Sequence, residues 1–194
     1  MKLSHLFLQR YDPLYNFYLA GIWEVVPHEL MRIRPYPRTN SIAWNLWHLT
    51  RAEDVGLNRF IADRPQVLDD GAWAEKMNIP WRHHGTEMTF AEVDELNQRI
   101  DLDALHDYSQ AVQKRTRAII ATLEDFDLDA VLEENKLRQL MVDEGVAHSH
   151  PEAFTQNYLG WSKGKCLMLF GLTHPYQHLG EIEVLASLVG VEFD

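Results

Sequence analysis

Apolar residues recur at intervals of three and four through four long stretches of this 194-residue chain. Nothing convincing reads as the strict alternation of a half-buried strand. That period restricts the fold to helices packed on helices. The first stretch runs from about Asp12 to Met31, with Leu14, Phe17, Tyr18, Ile22 and Val25 as its stripe. Pro13 falls near its first turn, where a missing N–H is harmless, and Pro27 kinks or ends it. The second starts near Ser41, after the capping cluster Thr39-Asn40-Ser41, and stops before Pro65. Thr89-Phe90-Ala91-Glu92 fits a capping box that opens a short helix. The third stretch, about Asp101 to Glu124, turns Leu102, Leu105, Tyr108, Val112, Thr116, Ile119 and Leu123 inward. The fourth spans about Lys163 to Leu188, with Gly190 as its C-terminal cap.

Two connections are long, residues 65–88 and 127–160, and loops of that length in compact domains are usually functional or mobile. Val131, Leu137, Leu140 and Met141 make one or two amphipathic turns in the second of them, ended by Gly145, and His148-Ser149-His150-Pro151 reads as loop. The expected architecture is one all-α domain over residues 1–194, a four-helix bundle with long loops and short extra helices.

Composition closes off several functions. At 46% hydrophobic residues the chain can bury a full core without staples. Its lone cysteine, Cys166, cannot form an internal bridge, which suits a reducing compartment. The net charge of −11 and the lack of a basic stripe argue against nucleic acid as a partner. The start, Met1 to Arg10, has too short an apolar run for a signal peptide. No apolar stretch approaches the roughly 20 residues a membrane span needs. A cytoplasmic protein acting on a small molecule is the expectation.

The informative residues lie on the second and fourth helices. With His174 at zero and about 100° per residue, His178 falls about 40° away and Glu181 about −20°. Phe170, Leu167 and Leu185 share that stripe, so two imidazoles and a carboxylate sit on the face a bundle turns inward. Burying such groups costs about 1–3 kcal/mol each unless something satisfies them. An i, i+4 histidine pair is a natural clamp for a metal ion, although such pairs also arise by chance. His48, in Trp44-Asn45-Leu46-Trp47-His48-Leu49-Thr50, lies on a second inward stripe with Trp44, Ala52 and Val55. Alone it reads as a core histidine with a hydrogen-bonded ring nitrogen. With His174 and His178 it completes three nitrogen ligands, a set that leaves positions open for water or substrate as catalytic sites do.

His48-Leu49 followed by Glu53-Asp54, and the later His174-Pro175-Tyr176-Gln177-His178-Leu179-Gly180-Glu181-Ile182, resemble the DinB-like (damage-inducible, YfiT-like) metal-binding family. The resemblance extends over nearly the whole chain in helix order and histidine placement. It implies a four-helix bundle, a homodimer, and a zinc, nickel or similar ion on His48, His174 and His178. It also implies substrates transferred or isomerised with a low-molecular-weight thiol. Glu181 stands where relatives commonly carry glutamine; the departure suits an acid that orients a ligating ring, moves a proton, or adds a fourth ligand. Glu53 is the other acid weighed for that task.

Other chemistry lacks its residues. There is no pair of Glu-x-x-His motifs for a di-iron bundle, no H-E-x-x-H, no P-loop and no G-x-S-x-G. Cys166, about 80° off the histidine stripe, reads as an inert core thiol. His83, His84, His148 and His150 fall in the two long loops and read as solvated, with a proton shuttle at the pocket mouth as the alternative. Trp44, Trp47, Trp73, Trp81 and Trp161 read mainly as packing residues. A metal-dependent enzyme that activates a thiol or water is the leading expectation; the alternative is a non-catalytic metal-binding stress-response protein.

Overall fold

The computed structural model describes residues 3–123 and 125–193. Four helical arms make the bundle. The first is α1 (Leu3–Pro13), a π-turn over Leu14–Tyr18, and α2 (Leu19–Val25), with the single turn α3 (His28–Met31) after it. The second is α4 (Ile42–Glu53), prolonged by a wider π segment over Asp54–Ile61. Short helices α5 (Val67–Asp70), α6 (Trp73–Lys76) and α7 (Phe90–Arg99) lead to the third arm, α8 (Leu102–Thr122). Helix α9 (Glu134–Arg138), a π-turn over Gln139–Asp143, and α10 (Pro151–Tyr158) precede the fourth arm. That arm is α11 (Lys163–Met168), a π-turn over Leu169–Thr173, and α12 (His174–Leu188). No β-strand occurs among the described residues; Val131 makes an isolated bridge with Ser162.

The expected caps are in place. Ser41 Oγ accepts from Trp44 N–H at 2.9 Å, and Thr89 and Glu92 form a reciprocal capping box. Gly190 ends α12 at φ +88°, and Asp101, where the third helix was expected to start, also caps it by accepting from Ala104 N–H. Glu124, the expected end of the third helix, lies outside the described residues, as do Met1, Lys2 and Asp194.

The first arm differs from expectation. It begins at Leu3, nine residues early, and Pro13 is interior to it. The ring cannot donate to the turn behind it, and the π-turn that follows absorbs the break. The face is also different: Phe7, Tyr11, Leu14, Tyr15, Leu19, Ile22 and Val26 are buried, whereas Phe17, Tyr18 and Val25 are exposed. Leu14-Tyr15-Asn16-Phe17-Tyr18-Leu19 is apolar around most of its circumference, so its spacing does not select a side.

The 65–88 connection is anchored. Arg51 and Asp54, both fully buried and 3.2 Å apart, form a polar post inside the bundle. Asp54 accepts from the N–H groups of Val67 and Leu68 at the start of α5 and from Tyr108 O–H. Arg51 donates to Tyr108 Oη, Gln66 Oε1 and the Arg82 carbonyl. A buried pair stabilises only when its remaining donors and acceptors are used, as these largely are.

Close contact between arms rests on glycine. A Cβ on Gly56 would lie 2.3 Å from the Phe170 ring, and one on Gly171 would lie 2.6 Å from Phe7. Both glycines lie within π segments, where the arms meet backbone to ring. Gly56→Ala is expected to destabilise the fold by about 1–3 kcal/mol through overpacking, read as a lower urea midpoint. An unchanged midpoint would show that the arms are not locked there.

Candidate metal centre

Helix α12 packs on α4, and their facing stripes bring together the three histidines expected to meet. His48, His174 and His178 each offer a ring nitrogen within 4.8 Å of the others. Nε2 of His174 lies 3.1 Å from Nε2 of His48 and 3.0 Å from Nε2 of His178. The ring planes are steeply inclined to one another, at 68°, 83° and 82°, so the rings meet like the walls of a corner. His48 and His178 are buried and His174 is half-buried.

The far nitrogens settle two of the tautomers. His48 Nδ1–H donates to the carbonyl of His84, which can only accept. His178 Nδ1–H donates to Asn45 Oδ1 at 2.8 Å and Glu181 Oε2 at 2.9 Å. Asn45 is itself oriented by its amide, which donates to the Ser41 carbonyl. With Nδ1 protonated, a neutral ring has a bare lone pair at Nε2, so those of His48 and His178 both face His174. A shared proton on His174 Nε2 would have to serve both acceptors at once. His174 Nδ1 is buried without a protein partner among the described residues, so only the centre and packing orient that ring.

This donor set fits a divalent transition ion. Two nitrogens about 2.1 Å from a common ion and at right angles to it would lie about 3.0 Å apart. The rings are also in the state that ligation needs. Burial holds His48 down at about 4 and His174 at about 2, with the neighbouring imidazoles adding to the shift. Both are therefore neutral at pH 7 without competition from protons. Trp44 stacks on His48, ring centres 4.5 Å apart and planes 13° from parallel, which stiffens the ring and covers one face.

Glu181 is half exposed and touches His178, as its place on the stripe predicts. Glu53 does not reach the site. Its buried carboxylate accepts from Tyr11, Tyr15 and Thr116, and burial raises it to about 7. At 100° per residue it stands about 140° around the helix from His48, which explains the different direction.

The loop histidines depart from expectation. His83 and His84 are buried, not solvated. The chain passes so close to Trp47 that a Cβ on Gly85 would lie 2.4 Å from the indole, and Gly85 has φ +91°. That approach delivers the His84 carbonyl to His48. Its ring lies 6.0 Å from that of His48 and packs on Phe154. His148 donates to Glu92, whereas His150 is exposed beside Glu87. Residues 151–158, partly expected as loop, form α10. Cys166 is buried and its thiol is pushed up to about 12, consistent with an inert core residue. Asn45 and the His84 carbonyl were the site groups that periodicity could not supply. One lies a turn before His48, which was a readable hint, and the other is backbone in a loop.

Behind His178 a groove of about 570 Å³ opens between α12 and the residues before α4. Asn45 and Glu181 lie at one end and Val184, Leu185 and Leu188 along its length.

The DinB superfamily profile matches residues 18–182, and the chain belongs to that superfamily. No curated protein matches it. A conserved protein from Enterococcus faecalis, known from its crystal structure, has the same fold, with a TM-score of 0.74 at 17% identity. That similarity covers 97% of this chain and 98% of the other.

The buried imidazoles dictate a pH response in metal-stripped protein. His48 and His83 stay neutral in the fold to about 4, His174 to about 2, and His84 well below its ordinary value. The unfolded chain takes up protons at these sites below about 6.5, so acid favours unfolding. Glu53, raised to about 7 in the fold, acts in the opposite sense between about 7 and its ordinary value, but it is one group against four. The urea midpoint should therefore be lower at pH 5 than at pH 7.5; an equal or higher value at pH 5 contradicts this assignment.

Proposed function

We propose that this chain is a metal-dependent enzyme that activates a small-molecule thiol or a water molecule, with zinc or nickel held by His48, His174 and His178. The observation that carries the reading is the convergence of three Nε2 atoms, two of them with lone pairs fixed inward from behind. A divalent ion on such a three-nitrogen set keeps positions open and, as a Lewis acid, lowers the pKa of a coordinated thiol or water toward neutrality.

The chain's own groups have separable tasks. Asn45 Oδ1 and the His84 carbonyl hold the Nδ1 protons of His178 and His48, which keeps their Nε2 atoms bare. Trp44 excludes water from one face of His48. Glu181 shares the Nδ1 proton of His178 with Asn45 and reaches the groove, so it is placed to take up a proton released beside the site. Thiol transfer and hydrolysis use the same electrophile. The family resemblance favours the thiol, and also supports pairing of two chains.

The test is turnover by untagged protein of known metal content. Bacillithiol, mycothiol and glutathione are offered with electrophiles, beside a panel of hydrolysable esters and amides. One metal per chain is expected, with turnover that depends on it and that His178→Ala abolishes while helix content is kept. Full metal occupancy with no thiol binding and no hydrolysis would mean a non-catalytic metal-binding protein.

A further inference from the structure

The groove behind His178 is lined by none of the three histidines. Its volume of about 570 Å³ is of the size that holds a small organic molecule. Val184 and Leu188 on its wall are 61% and 48% exposed, although each has a wholly aliphatic side chain. With buried Leu185 they make an apolar strip along α12 at the edge of its inward face. From Glu181 to Leu188 that strip runs about 10 Å at 1.5 Å per residue. Gly180 leaves the groove open beside Glu181, since a Cβ there would meet no atom within 4 Å.

The charge of the groove is one-sided. Among the described residues its lining contains no lysine, arginine or histidine, and Glu181 is its one ionisable group. The remaining polar lining is hydroxyl or carboxamide. Arg38, which precedes lining residue Thr39 in the chain, is exposed and is not part of the lining. The whole chain carries −11, which reinforces a negative potential at the groove. An anion would find no cation there, whereas an ammonium group finds a half-exposed carboxylate with an aliphatic track leading from it.

We propose that this groove binds a small molecule with a cationic amine head on Glu181 and an aliphatic chain along Val184, Leu185 and Leu188. An amine on Glu181 competes with His178 Nδ1–H for the carboxylate. Asn45 still holds that proton, so the ring keeps its orientation when the groove is filled. The inference goes beyond the metal reading: the lining includes none of His48, His174 and His178, and its Asn45 and Glu181 reach the centre only through His178 Nδ1.

Calorimetric titration of the full chain with n-octylammonium, octanoate and octanol tests it, in zinc-loaded and chelator-stripped protein. The ammonium should bind about tenfold or more tighter than octanoate, the scale of one charge contact of about 1.4 kcal/mol. Glu181→Gln should erase that difference and leave octanol binding unchanged. Gly180→Trp, at a position with free space, should weaken all three ligands. His48→Ala should lose metal and keep amine binding, so failure of the metal reading shows separately. Octanoate binding as tightly as the ammonium overturns the proposal, as does unchanged binding in Gly180→Trp. A chain dimer that Gly180→Trp dissociates also overturns it, because the strip would then face a second copy.

Discussion

Two hydrogen bonds made at the backs of imidazole rings govern the centre of this protein. Because the His84 carbonyl and the Glu181 carboxylate can only accept, His48 and His178 must carry their protons at Nδ1. Their Nε2 lone pairs are then forced inward, toward a third nitrogen about 3 Å from each. Lone pairs brought this close in a buried space repel unless a proton or a cation lies between them. One proton cannot serve all three atoms well, and a divalent ion can. The arrangement suits a divalent ion.

The bundle is organised to keep those rings in register. Helix α4 is buried on every side, so His48 has no freedom to turn outward. The Arg51–Asp54 post secures both ends of the 65–88 connection, at Gln66, Val67 and Leu68 and again at Arg82. Two residues beyond Arg82 comes the carbonyl that orients His48. A long segment that would otherwise cost entropy to order is thus held by buried polar contacts, and it delivers a backbone acceptor to the site.

What could be read from the sequence was whatever repeats along a helix. The second, third and fourth arms and the inward faces of His48, His174 and His178 follow from 3.6-residue spacing, and the caps Ser41 and Gly190 from residue type. Glu181 followed as well, one turn from His178. The first arm was legible only in part, since Phe17, Tyr18 and Val25 compete with Tyr11, Tyr15 and Ile22 for the inner face and a π-turn shifts the phase. His83 and His84 carry no periodic signal, and their burial depends on Gly85 meeting Trp47, a contact between residues far apart in sequence. The direction of Glu53, by contrast, was present in its angle from His48.

Zinc K-edge X-ray absorption on the zinc-loaded, untagged chain reads the centre most directly. The account predicts one ion per chain with three imidazole nitrogens in its inner coordination sphere at about 2.0–2.1 Å. Fewer than three imidazoles around the ion, or a folded chain that retains no zinc after dialysis, would contradict it.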